Sequence, residues 1–351
     1  MNFRFLSYLL SYTIPAITIA GILAGGILTF SNFIFVFVIL PVVELLLPAD
    51  HSNEQDEYYK RVKNSIPFRL MLWGHVLSQY AVLYFFLDAF RNDLSVWEII
   101  GNTLSTGIML GGIGITVAHE LIHRKSAIDR FFGKALLIST LYLHFYIEHI
   151  RGHHKFVGTD RDPASSKPGE NVYTFWFNSV TGSFLSALKL ESQRLKKNGL
   201  QVFSLSNQMV RFILYQIIFV AGVGLIFGFN VIPGFIAASI VGFTLLEIVN
   251  YIEHYGLRRT EIAEGVFERV DELHSWNSNF YISRKFLFEL TRHSDHHINA
   301  GREYQTLRHF EDSPEHPTGY PGMIILALIP PVWFKVMDKR VLKYNSNLSK
   351  N

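Results

Sequence analysis

Residues 99–123 read IIGNTLSTGIMLGGIGITVAHELIH: no charge falls between Glu98 and Glu120, and the apolar run ends on two histidines, His119 and His123. A helix needs about 20 apolar residues to cross a hydrocarbon core of roughly 30 Å, so this stretch is long enough to span a bilayer. The same absence of charge holds between Arg4 and Glu44, between Arg69 and Asp88, and between Arg211 and Glu247. The first and last of these gaps each have room for two spans joined by a tight turn. Gly25 with Gly26 supplies one turn, and Gly228 through Gly234 with Asn230 and Pro233 supplies the other. Six spans are therefore predicted, near residues 5–25, 27–45, 69–88, 99–118, 211–229 and 231–252.

A chain of 351 residues could form two average domains, but 49% hydrophobic and only 17% charged residues point to an all-α membrane protein instead. Residues 135–147 are too few to cross and read as a helix at the interface or buried in protein. Residues 316–334 carry Pro317, Pro321, Pro330 and Pro331 and read as a broken helix near the membrane surface. There is no cysteine, which excludes disulfides, thiolate-ligated zinc, iron–sulfur centres and a fused rubredoxin domain from this chain. The first span runs straight into the second with no polar region behind a cleavage site, so it reads as mature structure and not as a signal peptide. A net charge of +3 leaves no footprint for nucleic acid.

Basic residues set the orientation. Lys60, Arg61 and Lys63 lie between spans two and three, and Arg124, Lys125, Arg130, Lys134, Arg151 and Lys155 follow span four, whereas the opposite loops hold little beyond Arg91. The positive-inside rule then puts both termini and both basic segments in the cytoplasm. Spans four and six finish on that face, where His119 closes one and His254 the other.

Nine of fifteen histidines fall into four groups. His119 and His123 stand at i and i+4, which places two rings on one helix face. The run Glu148-His149-Ile150-Arg151-Gly152-His153-His154 repeats that step and adds a third ring; Glu253-His254 ends span six; and His293, His296 and His297 line one side of a further helix. A single pair of this kind is more often surface or hydrogen-bonded core than ligand. Nine at one membrane depth point to metal, and a catalytic ion takes four to six ligands, so nine imply two ions. Imidazole suits zinc, copper, iron and nickel; without thiolates or a carboxylate cage, the site suits oxygen chemistry on iron. The rival reading of His-Glu-x-x-His as a zinc protease uses two of the nine and leaves most of the rest unexplained. A metal-binding or transport protein is a further reading, but transport calls for ionisable groups within the spans, which hold little besides His75 and Glu247.

At these residues the sequence resembles the integral-membrane alkane 1-monooxygenases of the membrane fatty-acid desaturase and hydroxylase superfamily. The histidine boxes are matched by HELIH (119–123), EHIRGHHKFVGTDRDPASS (148–166) and LTRHSDHH (290–297), and a further motif by NYIEHYGL (250–257). The stretches VGTDRDPASS and NYIEHYGL favour hydroxylase over desaturase. Similarity continues through RVDELHSWNSN (269–279) and GYPGMIILALIPPVWFKVMDKRV (319–341), and the chain departs at Glu289 and Thr291, where a Leu-Gln-Arg approach to the third box is expected.

The resemblance implies six transmembrane helices with a cytoplasmic, helical, histidine-rich di-iron region. The organisation expected is spans one to four (1–118), a cytoplasmic histidine-box segment (119–208), spans five and six (209–253), a cytoplasmic segment with the third box (254–342) and a loose tail (343–351). The ligands of two iron ions would be His119, His123, His149, His153, His154, His254, His293, His296 and His297, with no division between the ions legible. Glu120, Glu148, Glu253 and Asp295 each adjoin a ligand and are candidates to accept the outer N–H of a coordinated ring. Asp162, Pro163 and Ser165 would shape a loop, and His274 would serve in structural hydrogen bonding.

The implied reaction is oxygen-dependent terminal hydroxylation of medium or long n-alkanes at the cytoplasmic side of a bacterial inner membrane; fatty acyl chains or alkylbenzenes are the alternative substrates. Electrons would come from rubredoxin, fed by a reductase using NAD(P)H. Lys196, Lys197, Arg258, Arg259, Arg302, Lys339 and Arg340 would dock that acidic partner, or else satisfy topology and lipid headgroups. Gly107, Gly111, Gly112 and Gly114 in span four would wall a substrate channel or allow close helix packing, and a bulky residue at Gly111 is the expected way to shorten the accepted chain.

Overall fold

The computed structural model describes residues 3–348. Among them, six helices are long and apolar enough to cross a membrane: Arg4–Ala24, Gly26–Leu46, Ile66–Ala89, Val96–His123, Gln208–Phe227 and Phe229–His254. Each matches a predicted span. The fourth and sixth run on to His123 and His254, so the last turns of both helices carry nitrogen donors.

The breaks follow from local chemistry. Gly25 and Gly26 have φ of 69° and 54°, and Gly228 has φ of 100°, backbone that side chains with a Cβ adopt at a cost. The first turn is also tied down: Gly26 N–H donates to Glu98 Oε1 at 2.8 Å, while Ser95 and Glu98 form a capping box that starts the fourth span. In span two the helix widens to a π turn over Phe35–Ile39, immediately before Leu40 and Pro41. Pro41 has no N–H to give to the preceding turn, which suits a local change of hydrogen-bond register there.

Residues 135–147 are buried in protein but do not form one helix. The helix Ala127–Ser139 ends, the chain turns at Leu141 with φ of 54°, and a new helix begins at Phe145 and leads into the second histidine box. The proline-rich run after residue 316 is broken as expected: Tyr320–Ala327 and Pro330–Asn345 meet at 118°. The final helix continues through Leu348, so residues 343–348, expected to be loose, are helical; residues 349–351 of that tail lie outside the described residues. A hairpin of β1 (Glu261–Ala263) and β2 (Val266–Phe267) supplies the one two-stranded sheet among the described residues.

The segments between spans pack on one end of the helices. Tyr304 donates its hydroxyl to Phe68 O at 2.9 Å and its N–H to Glu120 at 3.3 Å, and Gln305 donates to Val62 O. Arg292 spreads its guanidinium over the carbonyls of Asp50, Ser52 and Leu307. Tyr8, Phe68, Phe288 and Tyr304 interlock edge to face and stacked, with Tyr8 and Tyr304 centroids 5.0 Å apart. Such aromatic pairs each contribute about 1 kcal/mol beyond area burial. They lock the first span to the segment that carries the third histidine box.

Candidate metal centre and apolar cavity

The structure resolves the nine histidines into two groups. Ligand atoms of His119, His123, His149, His154 and His296 lie within 4.8 Å of one another, as do those of His153, His254, His293 and His297. Every box except the first is thereby split or shared, and local backbone explains how. In the second box the helix opens into a π turn over His149–His153. A π turn closes from i to i+5, so His149 and His154, five apart, face one group while His153 faces the other. On the regular helix His293–Ile298, His293 and His297 stand four apart and share a group, and His296 points to the other.

The nitrogens meet closely. Nε2–Nε2 separations are 3.0 Å for His149 and His123, 3.0 Å for His154 and His149, and 3.1 Å for His296 and His154. In the second group they are 3.2 Å for His293 and His254 and 2.9 Å for His297 and His293. Burial, reinforced by neighbouring imidazoles, holds His149, His154, His293, His296 and His297 well below the usual imidazole range. These rings are therefore neutral, the form a metal requires. Several ring nitrogens converge, and the buried Nε2 atoms of His119 and His153 have no hydrogen-bond partner. A cation fits that donor set. Two nitrogens at right angles about an ion, each at about 2.1 Å, stand about 3.0 Å apart, against about 3.4 Å for a tetrahedral pair. The observed spacings are those of nitrogens that could share an ion.

The carboxylates divide differently from expectation. Glu120 pairs with Arg124 at 3.0 Å, Asp295 is clamped by Arg302 and the Arg308 N–H, and Glu148 accepts from Ser186 at 3.3 Å. These three brace the scaffold, and among the described residues none has a hydrogen bond to a cluster ring. Burial pushes the Glu148 carboxyl well above its ordinary range, with Asp162 and Glu247 adding to the effect. Glu253 does reach a ring, but on the inner side: its Oε2 is 3.2 Å from His293 Nε2, and its Oε1 accepts from Tyr320 at 2.6 Å. The residue that holds an outer ring nitrogen is Asp162, whose Oδ2 lies 2.9 Å from His153 Nδ1 and also accepts from Ser165. The sequence predicts only a loop role for Asp162; the signal for its contact is an acidic residue inside the motif that follows the second box. His274 has the structural role expected of it, between Glu268 and Asp271.

Above the imidazoles lies an apolar cavity of about 110 Å³, walled by Ile14, Val36, Phe37, Leu40, Ile108, Ile324 and others, and floored by His119, His149, His293 and Glu253. The span-four glycines play separate parts. A Cβ on Gly111 would collide with the Gly242 carbonyl, one on Gly107 with Val241 and Ala238, and one on Gly114 with Gln79, so these three permit close helix packing. A Cβ on Gly112 would meet nothing within 4 Å. Gly111 and Gly112 both line the cavity, as expected of Gly111, but only Gly112 leaves open space for a side chain.

Fold and site together define an integral membrane protein with a buried polyhistidine metal site set against an apolar chamber. Residues 95–323 match the fatty acid desaturase family. The chain is 38% identical to an alkane 1-monooxygenase of Acinetobacter baylyi, over 98% of this chain and 86% of that protein. It is 41% identical to alkane 1-monooxygenase 1 of Pseudomonas aeruginosa, over 90% and 83%. The hydroxylase component of a Pseudomonas putida xylene/toluene monooxygenase is 27% identical over 95% of this chain and 88% of that protein. The chain belongs to the fatty acid desaturase family and, within it, to the alkane 1-monooxygenases.

Proposed function

We propose that this chain hydroxylates the terminal carbon of medium or long n-alkanes, using two iron ions and electrons from rubredoxin, at the cytoplasmic face of a bacterial inner membrane. One observation carries the reading: the apolar cavity ends on imidazoles of both nitrogen groups, His119 and His149 from one and His293 from the other. An alkane has no polar handle, so shape alone holds it, and a chamber of aliphatic and aromatic walls does that while excluding water. The relatives named for alkanes share more identity with the chain than the one named for xylene and toluene, which favours the linear substrate.

Five histidines would hold one ion (His119, His123, His149, His154, His296) and four the other (His153, His254, His293, His297). When bound, the irons supply the oxygen activation and C–H oxidation that side chains cannot. The protein's own part is placement. Asp162 fixes the His153 ring through Nδ1 and leaves Nε2 turned inward. Glu253, held by Tyr320, stands at the cavity floor where it can carry a proton on Oε2. For docking rubredoxin, Lys196, Lys197 and Lys339 are exposed, whereas Arg259 is bonded to Glu268 O and Lys155 O and Arg302 to Asp295. The exposed lysines therefore take the larger share of that role.

Metal analysis of the purified protein, together with gas-chromatographic assay of octane, hexadecane, xylene and a fatty acid under a rubredoxin and NAD(P)H couple, tests the proposal. Two irons per chain and 1-alkanol products are expected. Fewer than two irons in active material, or oxidation confined to xylene or the fatty acid, overturns it.

A further inference from the structure

Away from the nine imidazoles, His51, His309 and Glu315 also bring ligand atoms within 4.8 Å of one another. His51 Nε2 is 3.0 Å from Glu315 Oε2, His309 Nδ1 is 3.5 Å from Glu315 Oε1, and the two rings meet edge to face at 4.9 Å. His51 lies in the loop after span two; the other two lie beyond the third histidine box.

The backbone holds these points together without help from the three side chains. Asp50 N–H donates to Asn279 O at 2.8 Å, and the His316 N–H donates to Asn277 O at 2.8 Å. Asn53 clasps the His309 peptide from both sides, accepting its N–H at 2.8 Å and donating to its carbonyl at 2.9 Å. The donors are therefore preorganised. Asn279 donates its amide hydrogens to Glu315 Oε1 at 2.6 Å and to His309 Nδ1 at 3.1 Å, so His309 Nδ1 carries a lone pair, which the amide engages. Asn279 Oδ1 is buried with no partner, so the amide can reverse and offer oxygen in place of N–H.

An ordinary surface ion pair between His51 and Glu315 accounts for one edge of this triangle and is worth little. It leaves the buried Asn279 Oδ1 without a partner and does not account for the approach of His309 Nδ1 to the same carboxylate. Two imidazoles and one carboxylate, with an amide oxygen within reach, suit a borderline d-block cation and not magnesium or calcium, which take all-oxygen sets. We infer that His51, His309 and Glu315 bind a divalent cation of the zinc class, separate from the histidine clusters. The ion clasps the loop after span two to the segment beyond the third box. That same loop supplies the Asp50 and Ser52 carbonyls to Arg292, the residue before His293, so the clasp braces the wall behind the main site.

The test uses the full chain, iron-loaded and in detergent, dialysed to equilibrium against micromolar zinc sulfate, with zinc and iron measured together. Wild type, His51→Ala and Glu315→Gln are compared; iron content reports that each variant is folded. Uptake of one zinc per chain by wild type at constant iron, with at least tenfold weaker uptake by both variants, is the expected result. No zinc uptake by wild type, uptake only as iron leaves, or equal uptake by the variants overturns the inference.

Discussion

Replacing Gly112 by valine tests whether the cavity above the histidines measures the substrate. Gly112 lies seven residues before His119, about 10 Å of helix rise, and an added Cβ there enters open space at the cavity wall. Valine brings three carbons into a cavity of about 110 Å³, so an alkane reaching that depth loses room for about three methylenes. At about 0.8 kcal/mol per buried methylene, the loss is about 2.4 kcal/mol, or about 60-fold in kcat/KM. A chain too short to reach Gly112 keeps its rate. Competitive turnover of octane against hexadecane, read by gas chromatography, gives the ratio directly. Gly111→Ala is the control: its methyl meets the Gly242 carbonyl, so it should cost roughly 1–3 kcal/mol of stability through overpacking and leave the chain-length ratio unchanged. Folded, iron-loaded Gly112→Val with the wild-type ratio refutes the reasoning.

Asp162→Asn should lower metal affinity 10–100-fold at the histidine group that contains His153, because only that ring loses its orienting partner; metal titration at wild-type affinity counts against it. Glu289, buried among Lys285, Arg284 and Arg292, keeps a carboxyl lowered to about 2 although burial opposes its charge. A folded value below the ordinary 4.5 means the unfolded chain takes up the proton first, so this stabilisation is full above about pH 4.5 and is lost as pH falls toward 2. Glu289→Gln should therefore cost about 3 kcal/mol near neutral pH and flatten the acid limb of the melting-temperature profile; an unshifted melt at pH 7 contradicts this. Rubredoxin-driven turnover should fall several-fold between low and high salt if exposed lysines steer docking, since screening shortens to about 8 Å at physiological ionic strength. A salt-independent rate rules out electrostatic docking.

The membrane fold was legible because hydrocarbon imposes a one-dimensional rule: a charge-free run of sufficient length is a span wherever it sits, and all six spans lie where the gaps between charges put them. The clustering of the histidines was legible for a similar reason, since histidines three and four apart on helices are few enough to count. What sequence could not supply was direction. Which ring joins which group turns on a π turn over His149–His153, and no residue spacing announces a π turn. Nor could spacing distinguish Gly111 from Gly112, adjacent glycines that both line the cavity, one pressed against a neighbouring backbone and the other with open space beside it. The carboxylate partners make the same point: Asp162, nine residues beyond its ring, reaches His153, while Glu120, Glu148 and Asp295, each next to a histidine, turn elsewhere. Neighbours along a helix point about 100° apart, so adjacency in sequence argues against contact, and only the folded chain decides which distant groups meet.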